Sequence, residues 1–249
     1  MTRQQLAGTA AAASTPVLAI DGARATIRLN RPKHLNRLQP EDLDALLKLF
    51  DRIEADPTLR VLVLTGTGRA FSAGYDLGSI SERASNGHEQ TAGSAFEVMV
   101  NRLEDLALPT ICRLNGGVYG GATDLALACD FRIGVDTAEM FMPAARLGAD
   151  NAKKLFLTAQ KIDAPEMLRI GYLTAMVPLE ALDEEVDRLA TVLAGNAPIA
   201  MRGMKRTINE IARGRLDEAA ADRRAVESMH STEIQEGIRA FAEKRPPKF

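Results

Sequence analysis

Along the first 140 or so residues, apolar positions fall into short runs broken by polar or glycine-rich stretches, and the runs read alternately as strands and helices. Val17 to Ile20 and Ala25 to Leu29 flank Asp21-Gly22, a dipeptide suited to the positive φ angles of a tight turn, so Pro16 to Asn30 is predicted to be a hairpin. Pro40 opens a helix in which Leu43, Leu46, Leu47, Phe50 and Ile53 share one face. The stretch from Arg60 to Thr65 is nearly all apolar, as expected for a strand covered on both faces. Thr110 to Leu114, which follows Pro109, and Phe131 to Val135 read as further strands. Helices are predicted from Phe96 to Leu106 and from Gly120-Gly121 through Ala128. Residues 78–92 are polar and rich in Gly and Ser, and read as a loop.

After about Pro143 the pattern changes. Helical signals dominate at 151–159, 164–170, 179–194, 198–212, 216–229 and 231–243, with Pro198 in the first turn of its helix. Strand–helix alternation followed by a helical region predicts an α/β core with a mostly helical C-terminal part. The expected division is a flexible tail over 1–15, a core over 16–178 and a helical region over 179–249. No internal repeat of fixed period is visible.

Composition narrows the function classes. Lys+Arg number 31 against Asp+Glu 33, a net charge of −2. That balance leaves no electrostatic footprint for nucleic acid or for an anionic membrane. No apolar run approaches the roughly 20 residues that span a bilayer. The tail MTRQQLAGTAAAAST lacks the apolar stretch of a secretory signal. Cys112 and Cys129 both sit among apolar neighbours, which predicts buried free thiols and a reducing, cytoplasmic setting. His34, His88 and His230 are scattered without a carboxylate or Cys at useful spacing, so no metal site is read.

The candidate chemistry lies in two glycine-rich segments, Gly68-Arg-Ala-Phe-Ser-Ala-Gly-Tyr-Asp-Leu77 and Leu114-Asn-Gly-Gly-Val-Tyr-Gly-Gly-Ala-Thr-Asp-Leu125. Each follows an apolar strand-like run. Two turns at two strand ends can aim two backbone N–H groups at one point, which is the arrangement that stabilises the oxyanion developing on a thioester carbonyl. A helix starting near Gly121 would leave that N–H unsatisfied within the helix.

These segments resemble those of the crotonase, or enoyl-CoA hydratase/isomerase, superfamily. Asn30-Arg-Pro-Lys-His-Leu-Asn36, Ala128-Cys-Asp-Phe-Arg132, Ala164-Pro-Glu…Ile170-Gly-Tyr-Leu with Val177, and Gly237-Ile-Arg-Ala-Phe-Ala-Glu-Lys-Arg245…Phe249 are similar to further family segments in the same order. The resemblance runs from about Val17 to Phe249. It implies a ββα spiral core with a helical C-terminal region, an acyl-CoA thioester as substrate, no cofactor beyond the coenzyme A carried by that substrate, and assembly as a homotrimer or dimer of trimers.

The resemblance assigns the oxyanion hole to the N–H groups of Tyr75 and Gly121. Ala73, Gly74, Asp76 and Leu77 in the first turn and Gly120 in the second would line the bound thioester. Lys33 and Arg37 lie in the segment that runs along coenzyme A in this family, and Phe241 and Lys244 match positions that meet its nucleotide part. Asp124 falls where hydratases of the family carry a catalytic Glu, and is read as the acid/base. It is one methylene shorter, about 1.5 Å of reach, and a helix N-terminus would depress its pKa. The tyrosines beside the turns, Tyr75 and Tyr119, are expected mainly to pack.

Two departures stand out. The second catalytic Glu of hydratases is replaced by Ala144, which cannot transfer a proton. Arg146-Leu-Gly148 then runs straight into Ala149, so the Pro-Gly-x-Gly-Gly loop that would wall the acyl pocket is missing, by true deletion or by omission. Enoyl-CoA hydration or double-bond isomerisation is the leading expectation. Acyl-CoA hydrolysis or decarboxylation, and a CoA-ester-binding protein with little catalysis, are the alternatives. A dinucleotide-binding oxidoreductase is disfavoured because no Gly-x-Gly-x-x-Gly is present.

Overall fold

The hairpin forms where the turn chemistry places it. Strand β1 (Val17–Asp21) pairs antiparallel with β2 (Arg24–Leu29), and Gly22 between them has φ +54°. The computed structural model describes residues 15–75, 89–142 and 147–249. The tail over 1–14, Asp76, Leu77, His88 and Ala144 therefore lie outside the described residues.

A single 3-10 turn (Pro32–His34) leads to α1 (Pro40–Glu54). Pro40 supplies a preset φ at its first position, and Gln39 and Asp42 form a reciprocal capping box. Leu43, Leu46, Phe50 and Ile53 are buried as the spacing predicts, while Leu47 stays half-buried.

The chain then winds as a spiral. Strand β3 (Val61–Gly66) is buried at all six positions and is followed at once by β4 (Ala70–Ser72) in a second sheet. After α2 (Glu89–Glu104), β5 (Thr110–Leu114) and β6 (Gly117–Tyr119) repeat the step. Helix α3 (Ala122–Leu127) follows, and then β7 (Phe131–Val135) and β8 (Glu139–Phe141). Next come α4 (Ala149–Thr158), β9 (Ile162–Asp163), α5 (Ala164–Arg169) and β10 (Ala175–Val177). The first sheet has the order β1-β2-β3-β5-β7-β10 and the second β4-β6-β8-β9. From β2 to β10 the first sheet is parallel, as its near-continuous apolar runs require. The three coils β3–β4, β5–β6 and β7–β8 thus each give a longer strand to the first sheet and a short strand to the second.

The corners between the sheets are tight. A Cβ added at Gly66 would lie 2.3 Å from the Phe71 carbonyl oxygen, and one at Gly116 would lie 2.1 Å from that of Arg69. Only glycine allows those chains to approach so closely.

A 3-10 turn (Leu179–Ala181) opens the C-terminal helices α6 (Leu182–Ala194), α7 (Pro198–Ala212), α8 (Glu218–His230) and α9 (Thr232–Ala242). Helix α6 packs on β3, β5 and β7 through Leu182, Val186, Ala190 and Leu193. Helices α7 and α8 bury no residue, and α9 buries only Ala240. Helix α7 is tethered instead by polar contacts at and just beyond its C-terminal half. Lys205 Nζ reaches Asp130 (2.8 Å) and the Leu108 carbonyl (3.0 Å), Asn209 donates to the Glu104 carbonyl (3.0 Å), and Arg213 pairs with Asp105 (2.6 Å).

Two readings of the sequence need correcting. The second sheet is absent from the pattern, because strands of two or three residues are too short to show a period. The stretch read as a loop through 92 becomes helical at Glu89, well before the predicted start at Phe96, since the apolar face that signals the helix begins only there. Cys112 and Cys129 are buried and free, and burial pushes the Cys112 thiol well up.

Candidate active site

The first turn, Ala73-Gly74-Tyr75, leaves the end of β4 and is braced by the segment before α1. The Ala73 N–H donates to the Leu35 carbonyl (2.8 Å), the Leu38 N–H to the Gly74 carbonyl (2.8 Å), and the Gly74 N–H to Ser72 Oγ (3.1 Å). Ser72 Oγ in turn donates to the Asn36 carbonyl (2.8 Å). The segment is itself locked. Asn36 is 1 % exposed, donates through Nδ2 to the carbonyls of Thr67 and Ala70 (both 2.9 Å), and accepts the Arg31 N–H (3.0 Å). Arg31 Nε is 2.9 Å from the Asp42 carboxylate, whose side chain is 2 % exposed. Burial raises the Asp42 pKa, against the lowering pull of the Arg31 hydrogen bond and the Gln39 N–H.

The second turn, Gly120-Gly121, leaves the end of β6. Gly120 has φ +55° and its N–H donates to the Phe141 carbonyl of β8 (3.0 Å). Thr123 Oγ1 sits 2.8 Å from both the Gly120 and the Met142 carbonyl oxygens. Asn115 ties this coil to the first, donating to the carbonyls of Gly68 (2.7 Å) and Ala70 (3.1 Å) and accepting from the Gly66 N–H (3.1 Å).

The two turns abut. A Cβ added at Gly74, where φ is +82°, would lie 2.7 Å from the Tyr119 carbonyl oxygen, 2.8 Å from the Gly121 nitrogen and 3.3 Å from the Ala122 nitrogen. Ala73, Gly74, Tyr75, Gly120 and Gly121 are thus brought together. Among the described residues no acceptor is found for the Gly121 N–H. The helix behind it, α3, is only six residues long, so the turn rather than a long macrodipole orients this group.

Asp124 is half-buried at the third position of α3, three residues after Gly121 and so on the same side of the helix. Its charge is felt at the fully buried Tyr172 hydroxyl, which burial above all pushes well above the usual phenol range. Tyr172 donates from there to the Thr123 carbonyl (3.3 Å).

The remaining predicted residues stand apart. Lys33 is exposed and Arg37 half-buried. Phe241 is 87 % exposed at the end of α9, and Lys244, with φ +52°, is exposed just beyond it. Among the described residues no hydrogen bond or ion pair joins Phe241 or Lys244 to the segment around Lys33. Tyr119 packs its ring over Gly117 and donates to Glu139 (2.6 Å). Burial and that carboxylate push its pKa up to about 12, and Tyr119 with Lys161 lowers that of Glu139.

Sequence reasoning missed four contributors. Asn36, Ser72 and Asn115 lie in quoted segments, but nothing in their spacing announces them as braces. Phe96 appears in the sequence only as the start of a helix. In the structure its ring lies against Gly121, and its centroid is 5.9 Å from that of Tyr75.

A spiral of paired coils, with two abutting glycine turns at the ends of adjacent short strands, defines the crotonase class of fold. The chain belongs to the enoyl-CoA hydratase/isomerase family, whose sequence profile matches residues 20–150 and 141–249. The two matched stretches meet where the sequence lacks the expected glycine loop. The chain is 32% identical to the short-chain-enoyl-CoA hydratase of Clostridium acetobutylicum, over 92% of this chain and 95% of that one. It is 31% identical to the crotonyl-CoA hydratase of Syntrophomonas wolfei, over 90% and 94%. Its structure matches that of the enoyl-CoA hydratase of Bacillus anthracis with a TM-score of 0.83 at 30% identity, covering 94% of this chain and 98% of the other.

Proposed function

We propose that this chain binds an acyl-CoA thioester and stabilises its enolate between the N–H groups of Tyr75 and Gly121. The reaction is enoyl-CoA hydration or double-bond isomerisation, with Asp124 as the acid/base. The observation that carries this reading is the contact of the two turns, in which a Cβ at Gly74 would sit 2.8 Å from the Gly121 nitrogen. Two donors held by braced backbone need no reorganisation when charge develops on the thioester oxygen. Asp124, on the α3 turn that begins at Gly121, would hold a water or move a proton at the carbons beside that carbonyl. Isomerisation moves one proton between two carbons, and one carboxylate can serve it. Ala144 supplies no second carboxylate, which favours hydrolysis or decarboxylation as the second reading, because both need the oxyanion site but not a paired acid and base.

Mass spectrometry of 2-enoyl- and 3-enoyl-CoA substrates incubated with the protein in heavy water tests this reading. Gain of water, or deuterium uptake with double-bond movement, is expected, falling at least about 100-fold in Asp124→Ala. An unchanged rate in that variant would remove Asp124 from the mechanism. No change in any substrate would turn the reading toward hydrolysis or decarboxylation.

We also infer a homotrimer or dimer of trimers. Met204, Ile208 and Ile211 on α7, Val226 and Met229 on α8, and Ile234 and Ile238 on α9 are all at least 45% exposed, and exposed apolar side chains gathered on consecutive helices are what a subunit interface would cover. Sedimentation equilibrium is expected to give three or six chains. A single chain across micromolar concentrations would exclude this assembly.

A further inference from the structure

Gly121 poses a question that its backbone does not answer. Its φ is −58° and its ψ −16°, an ordinary helical conformation open to any residue. The reason for glycine lies across the site. A Cβ at Gly121 would stand 3.0, 3.2 and 3.6 Å from three atoms of the Phe96 ring, so the ring occupies the space that a side chain there would need. The same ring meets Tyr75, with centroids 5.9 Å apart and planes inclined at 48°. Phe96 therefore touches both residues whose N–H groups are assigned to the oxyanion, although it lies on neither turn.

Its support is rigid. Met99 and Leu103 of α2 are fully buried and Val100 is 7 % exposed. Phe96 lies three and four residues before Met99 and Val100, on the same helix face but one turn nearer the rim. It is half-buried, so its ring is not wholly enclosed by the protein's own packing.

We propose that Phe96 is the positioning and selectivity residue of the acyl site. Its ring holds the Gly121 and Tyr75 turns at their working separation and walls the space beside the thioester carbonyl, so that the site takes small unbranched acyl groups and turns away bulky ones. This rests on the acyl-CoA reading above. A fixed ring against a turn cannot retreat from an incoming group without losing its own packing, and an excess of one methylene or more in such a pocket is discriminated about tenfold or better.

Calorimetric titration of the full chain with butyryl-CoA, benzoyl-CoA and free CoA tests the inference without requiring turnover. The wild-type protein is expected to prefer butyryl-CoA. Phe96→Ala should shift the butyryl-to-benzoyl affinity ratio toward benzoyl by about tenfold or more while leaving the affinity for free CoA within about twofold. Phe96→Leu, which keeps an apolar side chain and protects against misfolding of the alanine variant, should shift the ratio in the same direction by about threefold. A merely structural role would weaken all three ligands alike. A ratio unchanged within twofold in both variants overturns the inference while leaving the acyl-CoA reading intact. Wild-type protein that binds neither ester more tightly than free CoA overturns that reading, and this inference with it. A second readout is independent of the ester chosen. Gly121→Ala should weaken butyryl-CoA binding, and adding Phe96→Leu should restore part of it, whereas strictly additive losses would show that ring and glycine are not coupled.

Discussion

Gly74→Ala is expected to lower kcat on a short enoyl-CoA by about 100- to 1,000-fold, the loss that follows removal of one oxyanion donor. The new Cβ would sit 2.7 Å from the Tyr119 carbonyl oxygen and 2.8 Å from the Gly121 nitrogen, both backbone atoms with no side-chain freedom to yield. One turn must therefore move away from the other, and the two donors cease to converge. The φ of +82° adds backbone strain of about 1–3 kcal/mol for any other residue. Gly22→Ala is the matched control. It also has positive φ, +54°, but nothing lies within 4 Å of its added Cβ, and it sits in the β1–β2 turn. It should cost about 1 kcal/mol of stability and leave kcat unchanged. Steady-state kinetics with thermal melts of both variants separates the two effects. Activity in Gly74→Ala within threefold of wild type would contradict the site as drawn.

Arg31→Ala is expected to be the most damaging change to stability, by about 3 kcal/mol at neutral pH. It strands the Asp42 carboxylate, whose side chain is 2 % exposed and, among the described residues, keeps only the Gln39 N–H as a hydrogen-bond partner. The pKa of Asp42 is already raised by burial, and losing Arg31 removes the largest lowering influence, so it rises further. The sign follows. A carboxyl whose folded pKa lies above its unfolded value of 3.8 favours the folded state when protonated, and that benefit is lost as pH rises through the folded pKa. The deficit of Arg31→Ala should therefore shrink as pH falls from 7 toward 4. Urea unfolding at several pH values measures it, and a deficit independent of pH would mean that the lost packing of the arginine stem, not the stranded charge, dominates.

The sequence made five of the six strands of the first sheet legible because they are long and apolar, while β10, three residues long, went unread, and it made α1 legible through its cap and its face. Pro198 and the helical signals after residue 179 did the same for the C-terminal helices. Segments of two or three residues such as β4, β6 and β8 carry no period, so the second sheet, which delivers both turns, could be read only as glycine-rich loops. The site shows the same division. Gly74 and Gly121 announce themselves by type, and Asp124 by its place beside them. Phe96 does not, because a ring reaching from one helix to a turn in another coil leaves no trace in spacing. Phe241 and Lys244 were read from resemblance alone, and within one chain they end in solvent.

The parallel pairing of β4 with β6 sets a length scale. Ser72 pairs with Val118 at the ends of the two strands, and each chain reaches its assigned donor three residues further on, Tyr75 in one and Gly121 in the other. Neighbouring strands lie about 4.8 Å apart. An oxygen that accepts bonds of about 2.9 Å from two nitrogens at that separation is held at an angle of about 110°, close to the directions in which an oxyanion offers its lone pairs. The width of the proposed charge-binding notch would then start from the pitch of the sheet, inherited from backbone pairing, with the absence of a side chain at Gly74 letting the two turns keep that spacing beyond the strand ends.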